Sequence, residues 1–308
     1  MPKPVALVIG ASRGIGRQIA IDLARNGYAV VVAAKSTEAQ ETDLPPSSSK
    51  HSTITSVTRE INDIHHGTAT AIPVDTRSIT QIDALFAAVE RLHGRLDVLI
   101  YNAGAIWWSA VESTPVKRFQ LMQRVNPEGL YASIQAALPL FARNAWRGRI
   151  VVVSPPIYSR FFRGKTAYAM GKVGMSVLTK GLAMDFVRQG RKDMAITSLW
   201  PAVSIESAAT EDMVRNDPSA QKDLRKPTIF SDAVLAVLNA PAESVNGLLD
   251  LDEDFLRRTC GVTDFSKYAV VRGSTPRRIM PASFPVLEVE EQDDEGRRMD
   301  SVVLRGKI

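Results

Sequence analysis

The stretch Val5-Ala6-Leu7-Val8-Ile9-Gly10-Ala11-Ser12-Arg13-Gly14-Ile15-Gly16 decides the fold. An unbroken apolar run stops at a glycine, two further glycines follow, and Ile15, Ile19 and Leu23 then repeat at helical intervals. An apolar run without alternation reads as a strand buried on both faces. Glycines at 10, 14 and 16 permit a tight turn and close approach of the backbone to a ligand. The helix that follows presents unpaired N–H groups and a partial positive charge at its start. Strand, glycine turn and helix in that order suit the pyrophosphate of a dinucleotide, so Gly10, Ser12, Arg13, Gly14, Ile15 and Gly16 are expected to bind one.

The alternation continues along the chain. Strands are expected at Val5–Ile9, Ala29–Ala33, Ala69–Val74, Leu96–Tyr101, Arg149–Val153, Met194–Leu199 and Gly247–Leu251. Between them, Ile82, Leu85, Phe86, Val89 and Leu92 repeat with a helical period. A longer helix is expected from Thr166 to Gln189, with Leu178, Leu182 and Phe186 in its buried stripe and Gly190 as its stop. The fold class implied is α/β: a doubly wound Rossmann-type parallel sheet of about seven strands with helices on both faces. Residues 1–263 form one catalytic domain in this reading. Residues 264–308 form a C-terminal extension, irregular or a hairpin between Pro285–Val289 and Ser301–Leu304, with a role in oligomer contacts. Ser36–Ser52, with Pro45-Pro46-Ser47-Ser48-Ser49, reads as an exposed loop.

At 308 residues the chain can bury a large core, and its 45% hydrophobic and 23% charged residues are ordinary for a globular protein. The net charge of +5 is scattered rather than gathered into a basic patch, so no nucleic-acid partner is expected; an anionic cofactor suits it as well. One cysteine, Cys260, excludes an internal disulfide and reads as a small buried or half-buried thiol. His51, His65, His66 and His93 show no ligand spacing, so no metal is expected. No run reaches the length of a membrane span, and no leader pattern precedes Val5.

Tyr168-Ala169-Met170-Gly171-Lys172 places a phenol and an ammonium on one helical face, one turn apart. A phenol ordinarily titrates near 10, and bringing it near 7 takes about 4 kcal/mol of differential stabilisation. One cation at about 4 Å, in an effective dielectric near 20, supplies about that much. Tyr168 is therefore expected to exchange protons, with Lys172 acidifying it. The second strand ends Ala33-Ala34-Lys35-Ser36 without the carboxylate that holds a ribose diol. Lys35 and Arg13 suit a 2′-phosphate instead, so NADP(H) is the expected cofactor.

Together these motifs resemble the short-chain dehydrogenase/reductase family. The glycine spacing, Asn102-Ala103-Gly104 after the fourth strand, Asn126, Ser154, Tyr168/Lys172 and Pro201 occur in the family's order. The resemblance implies that Asn102, Ala103 and Gly104 line the cofactor cleft and that Asp75 contacts the adenine. It implies that Asn126 positions a water and Lys172 in a proton relay, and that Ser154 hydrogen-bonds the reacting oxygen. Pro201 and Ile205 would border the carboxamide. Two positions depart from the pattern: the serine found thirteen residues before the tyrosine is here Pro155, with Ser154 fourteen before, and Ala202 stands where a glycine follows Pro201. Ser154-Pro155-Pro156, Ala33-Ala34-Lys35 and Leu199-Trp200-Pro201 narrow the resemblance to the hydroxysteroid dehydrogenase-like branch. Longer members of that branch add a sterol-carrier domain, which this chain is expected to lack.

The activity so implied is NADPH-dependent reduction of a carbonyl, or the reverse oxidation of a secondary alcohol, on an apolar or aromatic small molecule. Ile106, Trp107, Trp108, Ile157, Tyr158, Phe161 and Phe162 are the expected pocket. Two other readings stay open: a non-redox cyclase or dehydratase on the same scaffold, and an NADP(H)-binding regulatory protein. A homodimer or homotetramer built on the family's long fourth and fifth helices is expected. So is a cytoplasmic location, with peroxisome and mitochondrion open, although Gly306-Lys307-Ile308 matches a peroxisomal address poorly.

Overall fold

Alternate residues of the first strand, β1 (Val5–Ile9), enter two different cores. Ala6 and Val8 join one cluster and Val5, Leu7 and Ile9 the other. Residues along a strand point to opposite faces, so a run apolar at every position forms only where both faces are covered. In the computed structural model, which describes residues 2–38 and 51–288, helices cover both.

The elements after β1 run in order: α1 (Gly14–Arg25), β2 (Ala29–Ala34), α2 (Ile54–Arg59), β3 (Thr68–Pro73), α3 (Ile79–His93), β4 (Val98–Tyr101), α4 (Val116–Gln123), α5 (Gly129–Arg143), β5 (Gly148–Val153), α6 (Thr166–Arg188), β6 (Met194–Trp200), α7 (Glu211–Asn216), α8 (Thr228–Asn239), α9 (Ala242–Val245), β7 (Leu249–Leu251) and α10 (Asp252–Cys260). The seven strands form one sheet in the order β3-β2-β1-β4-β5-β6-β7, and every pairing is parallel. Ile19 and Leu23 of α1, Phe230 and Val234 of α8 and Phe255 of α10 pack on one face. Leu85 and Phe86 of α3, Phe141 of α5 and Phe186 of α6 pack on the other. The strand order reverses direction between β1 and β4, and the crevice above that point is where such sheets take their ligands.

The expected α/β sheet is thus present, with small differences at the ends of elements. Ladder pairing in β4 begins at Val98 rather than Leu96, and the Asp97 carboxylate accepts the Val5 N–H at 2.8 Å beside its start. β7 begins at Leu249 because Gly247 turns at φ +78°. Gly190, at φ +68°, follows the cap of α6. Leu92 is half exposed at 52%, whereas Ile82, Leu85, Phe86 and Val89 are buried. In α6, Phe186 is buried, but Leu178 and Leu182 pack only partly against the core.

Residues 264–288 fold back on the sheet. Phe265, Tyr268 and Met280 are buried, and Ile279 N–H donates to the Ala202 carbonyl at 2.9 Å. Most of the proposed loop (39–50) and the second arm of the proposed hairpin lie outside the described residues. Cys260 is exposed at the end of α10, contrary to the buried or half-buried thiol expected. Among the described residues no group of three or more His, Cys, Asp or Glu side chains could hold a metal, and no helix is long and apolar enough to cross a membrane.

Candidate active site

A cleft of about 640 Å³ opens where β1 and β4 part. Its floor is the glycine turn. Gly10 takes φ +89°, and a Cβ there would lie 2.5 Å from Ala103 N. A Cβ on Gly16 would collide with the Gly10 carbonyl and lie 2.6 Å from Asn102 Nδ2, which itself donates to that carbonyl at 2.8 Å. Asn102 thereby ties the end of β4 to the turn after β1, and these two glycines are required by packing as well as by conformation. Arg13, at the N-cap of α1, contributes no side-chain cap, so the first-turn N–H groups are not occupied by a capping side chain. That donor set suits a phosphate.

One end of the cleft is ionic. Arg13 Nη2 donates to Ser36 Oγ at 2.9 Å. Asp75, expected at the adenine, lines the cleft with its carboxylate gripped by Arg77 and 3.6 Å from Lys35 Nζ. The hydrogen bonds from Arg77 hold that carboxyl well below the usual range. Arg77 itself lines the cleft and was not singled out from the sequence, although the Asp75-x-Arg77 spacing was there to be read. Arg13, Lys35 and Arg77 thus bring three cations to one end of the cleft, with Asp75 among them.

At the other end, α6 presents Tyr168 and Lys172, which line the same cleft. Lys172 is 4% exposed and its Nζ donates to the Val153 carbonyl at 2.8 Å. Asn126, wholly buried, accepts from Ala105 N–H at 2.9 Å and donates to the Ala105 carbonyl at 3.1 Å. It sits in a π-helical turn, Arg124–Glu128, where Pro127 lacks the N–H needed to continue α4 regularly. A Cβ on Gly104 would lie 3.3 Å from Lys172 Nζ and 3.5 Å from Asn126 Oδ1, which puts all three residues around one point.

The electrostatics differ from the sequence expectation. Burial pushes the Tyr168 phenol above its ordinary 10 and pushes the Lys172 ammonium down to about 7. No hydrogen bond joins the two, and desolvation of each charged form outweighs any mutual attraction. Burial, rather than the neighbouring charge, sets the direction of both shifts.

Ser154 also departs from its expected place. It is wholly buried and does not line the cleft; Val153 does. Ser198 Oγ donates to the Ser154 carbonyl at 2.5 Å, and the two hydroxyl oxygens lie 2.8 Å apart. With the Ser198 proton spent on that carbonyl, the Ser154 hydroxyl is the donor between them. Pro155 has no side-chain donor to replace it.

Pro201 lines the cleft, whereas Ile205 is buried beneath it and pairs by its backbone with Arg225. Ala202 N–H donates to Asp252 Oδ1 at 2.8 Å. Burial pushes the Asp252 carboxyl up to about 7. Beside it, Glu253 and Arg225 form a buried ion pair at 2.5 Å. Ser207 and Ala208, which no sequence signal marked, close the cleft over Gly14.

The aromatic residues expected at the pocket gather around Tyr168. The Trp108 and Phe161 ring centroids each lie 6.2 Å from that of Tyr168, and Phe161 meets Trp200 edge-on at 5.9 Å. Tyr158 packs on Phe161 and on Phe284, and its hydroxyl reaches Met280 Sδ at 3.3 Å. The segment beyond β7 thus builds one wall of this side.

The short-chain dehydrogenase family model matches residues 4–211, most of the chain and nearly all of this site. The chain is a short-chain dehydrogenase/reductase. Hydroxysteroid dehydrogenase-like protein 2 of Mus musculus is 34% identical over 296 residues, covering 93% of this short-chain dehydrogenase/reductase and 56% of the mouse protein. The chain spans little more than half the length of that curated relative. Among solved structures, a Xanthomonas campestris protein assigned as a dehydrogenase is 36% identical, with a TM-score of 0.78 and coverage of 94% and 98% of the two chains. A short-chain dehydrogenase of Mycobacterium thermoresistibile is 32% identical, with a TM-score of 0.77 and coverage of 89% and 93%.

Proposed function

We propose that this oxidoreductase reduces a carbonyl on an apolar or aromatic small molecule with NADPH, and oxidises the matching secondary alcohol in reverse. The observation that carries the reading is that Tyr168 and Lys172 line the same cleft as the glycine turn and Asn102–Gly104. Gly10, Ser12, Arg13, Gly14, Ile15 and Gly16 would hold the pyrophosphate. Lys35, Arg13 and Arg77 would hold a 2′-phosphate, and Asp75 and Pro201 would border the remaining rings, with Ile205 supporting that wall from beneath. When bound, the nicotinamide supplies the hydride.

Tyr168 donates its proton to the oxygen of the substrate as that oxygen gains charge. A buried, neutral phenol is the form this direction requires, and an alkoxide is a stronger base than a phenolate, so the transfer remains downhill despite the raised phenol. Asn126, fixed by its two bonds to Ala105 and close to Lys172 around Gly104, would position a water through which Lys172 returns a proton from solvent to Tyr168. Lys172 at about 7 changes charge readily at neutral pH, which suits a relay. Ser154 acts here as a scaffold for β5 and β6, not as a donor to substrate.

A non-redox reaction on the same scaffold is the second reading. The observation in its favour is Pro155 at the serine's place. NADPH oxidation by purified protein across a panel of ketones and aldehydes, with NADH in parallel, tests both: turnover with NADPH preferred supports reduction, and tight NADPH binding without turnover on any of them supports the second.

Residues 1–263 act as the catalytic domain and 264–308 as an extension, of which Met280 and Phe284 add to the pocket wall. Tyr131 on α5 and Val177, Met184 and Val187 on α6 are exposed apolar side chains, which supports a homodimer or homotetramer formed on those helices. An exposed Cys260 suits a reducing compartment, and the cytoplasm is the location proposed.

A further inference from the structure

Lys165 immediately precedes α6, three residues before Tyr168. Its side chain folds inward. Nζ lies 4.2 Å from the Phe161 ring centroid and 5.8 Å from that of Trp108. Those are the two rings that flank Tyr168, so the ammonium belongs to the aromatic wall around the phenol. Its neighbours differ in exposure: Phe161 is 3% exposed, whereas Trp108 is 60% exposed.

Lys165 is half-buried, and among the described residues no carboxylate or carbonyl takes a hydrogen bond from its Nζ. The basic groups that line the neighbouring cleft are each held: Lys172 by Val153, Arg77 by Asp75, Lys35 by Asp75 and Arg13 by Ser36. Aromatic faces attract an ammonium but do not satisfy its three N–H donors. Burial lowers its affinity for its proton, and an anion placed beside it would restore that affinity. The ligand that completes this site is apolar against the rings and anionic at one point. A single point-charge lysine matches a carboxylate, whereas a phosphate calls for a cluster of donors.

We propose that Lys165, held by Phe161 and Trp108 beside Tyr168, binds a carboxylate of the substrate. The substrate class is then an aromatic or apolar carbonyl compound, or its alcohol, that carries a carboxylate. This rests on the carbonyl-reduction reading for the word substrate; the binding of the anion does not.

The test separates the two. Binding of 2-naphthoate and of its neutral analogue 2-naphthamide to the full chain is measured by titration calorimetry, with and without NADP⁺. The wild type binds the acid at least about tenfold more tightly than the amide. Lys165→Met, which keeps the aliphatic stem over Phe161, brings the two affinities together, and Lys165→Arg retains the preference within about threefold. Equal wild-type affinities, no measurable acid binding at millimolar concentration, or a gap that survives in K165M overturns the proposal. Should K165M fail to fold, Lys165→Gln takes its place in both comparisons. In a second arm, NADPH oxidation with 4-acetylbenzoate exceeds that with its methyl ester by about tenfold in kcat/KM, and K165M erases the difference by raising KM for the acid. If neither compound is reduced while the calorimetric gap stands, the redox reading is what fails.

Discussion

The two ends of the cleft are built on different principles. At the glycine turn, backbone meets backbone: Gly10 against Ala103, Gly16 against the Gly10 carbonyl, and Asn102 bonded across the gap. Nothing there can be enlarged without moving a strand. Around Tyr168 the contacts are between rings, a lysine, and a hydroxyl resting on the Met280 sulfur. Such contacts are soft and exchangeable. An end fixed by sterics can accept one shape of ligand, while an end fixed by side-chain packing can be refitted.

The sharpest way to break the comparison is Gly16→Ala. It should cost ~3 kcal/mol or more in urea unfolding and abolish NADPH binding, because the neighbours of the new methyl are backbone and a tied amide. A variant that unfolds at the wild-type midpoint would show that the turn has slack. Tyr168→Phe should cut turnover at least about 100-fold while NADPH affinity stays within about threefold. Wild-type turnover in that variant would remove Tyr168 from the chemistry. Arg77→Ala should weaken NADPH by about tenfold and leave NADH nearly unchanged, read by fluorescence titration of both; an equal loss for the two would assign Arg77 to Asp75 alone.

Stability against pH sharpens the contrast more gently, since two groups with displaced titration, Lys172 and Asp252, are buried on the side of the rings. Asp252 titrates near 7 in the folded chain against an ordinary 3.8. Between those values the native state holds the extra proton, so stability falls as pH rises from about 4 to 7. Lys172 titrates near 7 against 10.5, so there the unfolded chain holds the extra proton and stability rises from about 7 to 10. Asp252→Asn keeps an oxygen for the Ala202 and Glu253 amides and should flatten the falling limb in denaturant titrations; Lys172→Met should flatten the rising one. A limb that persists in its variant assigns the slope to another group. The smallest effect belongs to Ser154→Ala: turnover within about threefold of wild type and a loss of ~1 kcal/mol from the Ser198 bond. A large loss of kcat would return Ser154 to the chemistry.

The sequence made the sheet readable because every strand but β3 and β7, at its two edges, is mostly buried, and apolar runs without alternation have one structural meaning. The glycine turn was readable because backbone crowding leaves a mark in residue type. The Tyr168/Lys172 pair was readable as a spacing, but not in its electrostatics. Helical periodicity reports which face two groups share and is silent on how deeply each is buried, and burial set both pKa values. Ser154 misled for a similar reason: its partner, Ser198, lies on a neighbouring strand and shares no local pattern with it. Lys165 left no trace at all, since a lysine before a helix is ordinary until three-dimensional folding sets two rings beside it.

Met280 and Phe284 come from chain laid down after the last strand of the sheet, yet they back the ring of Tyr158 at the reactive end. That panel hangs on the scaffold without being threaded through it. None of its residues supplies a rung of the seven-stranded ladder, so substitutions at Met280 or Phe284 reshape the wall beside Tyr158 and leave the strand pairing as it is.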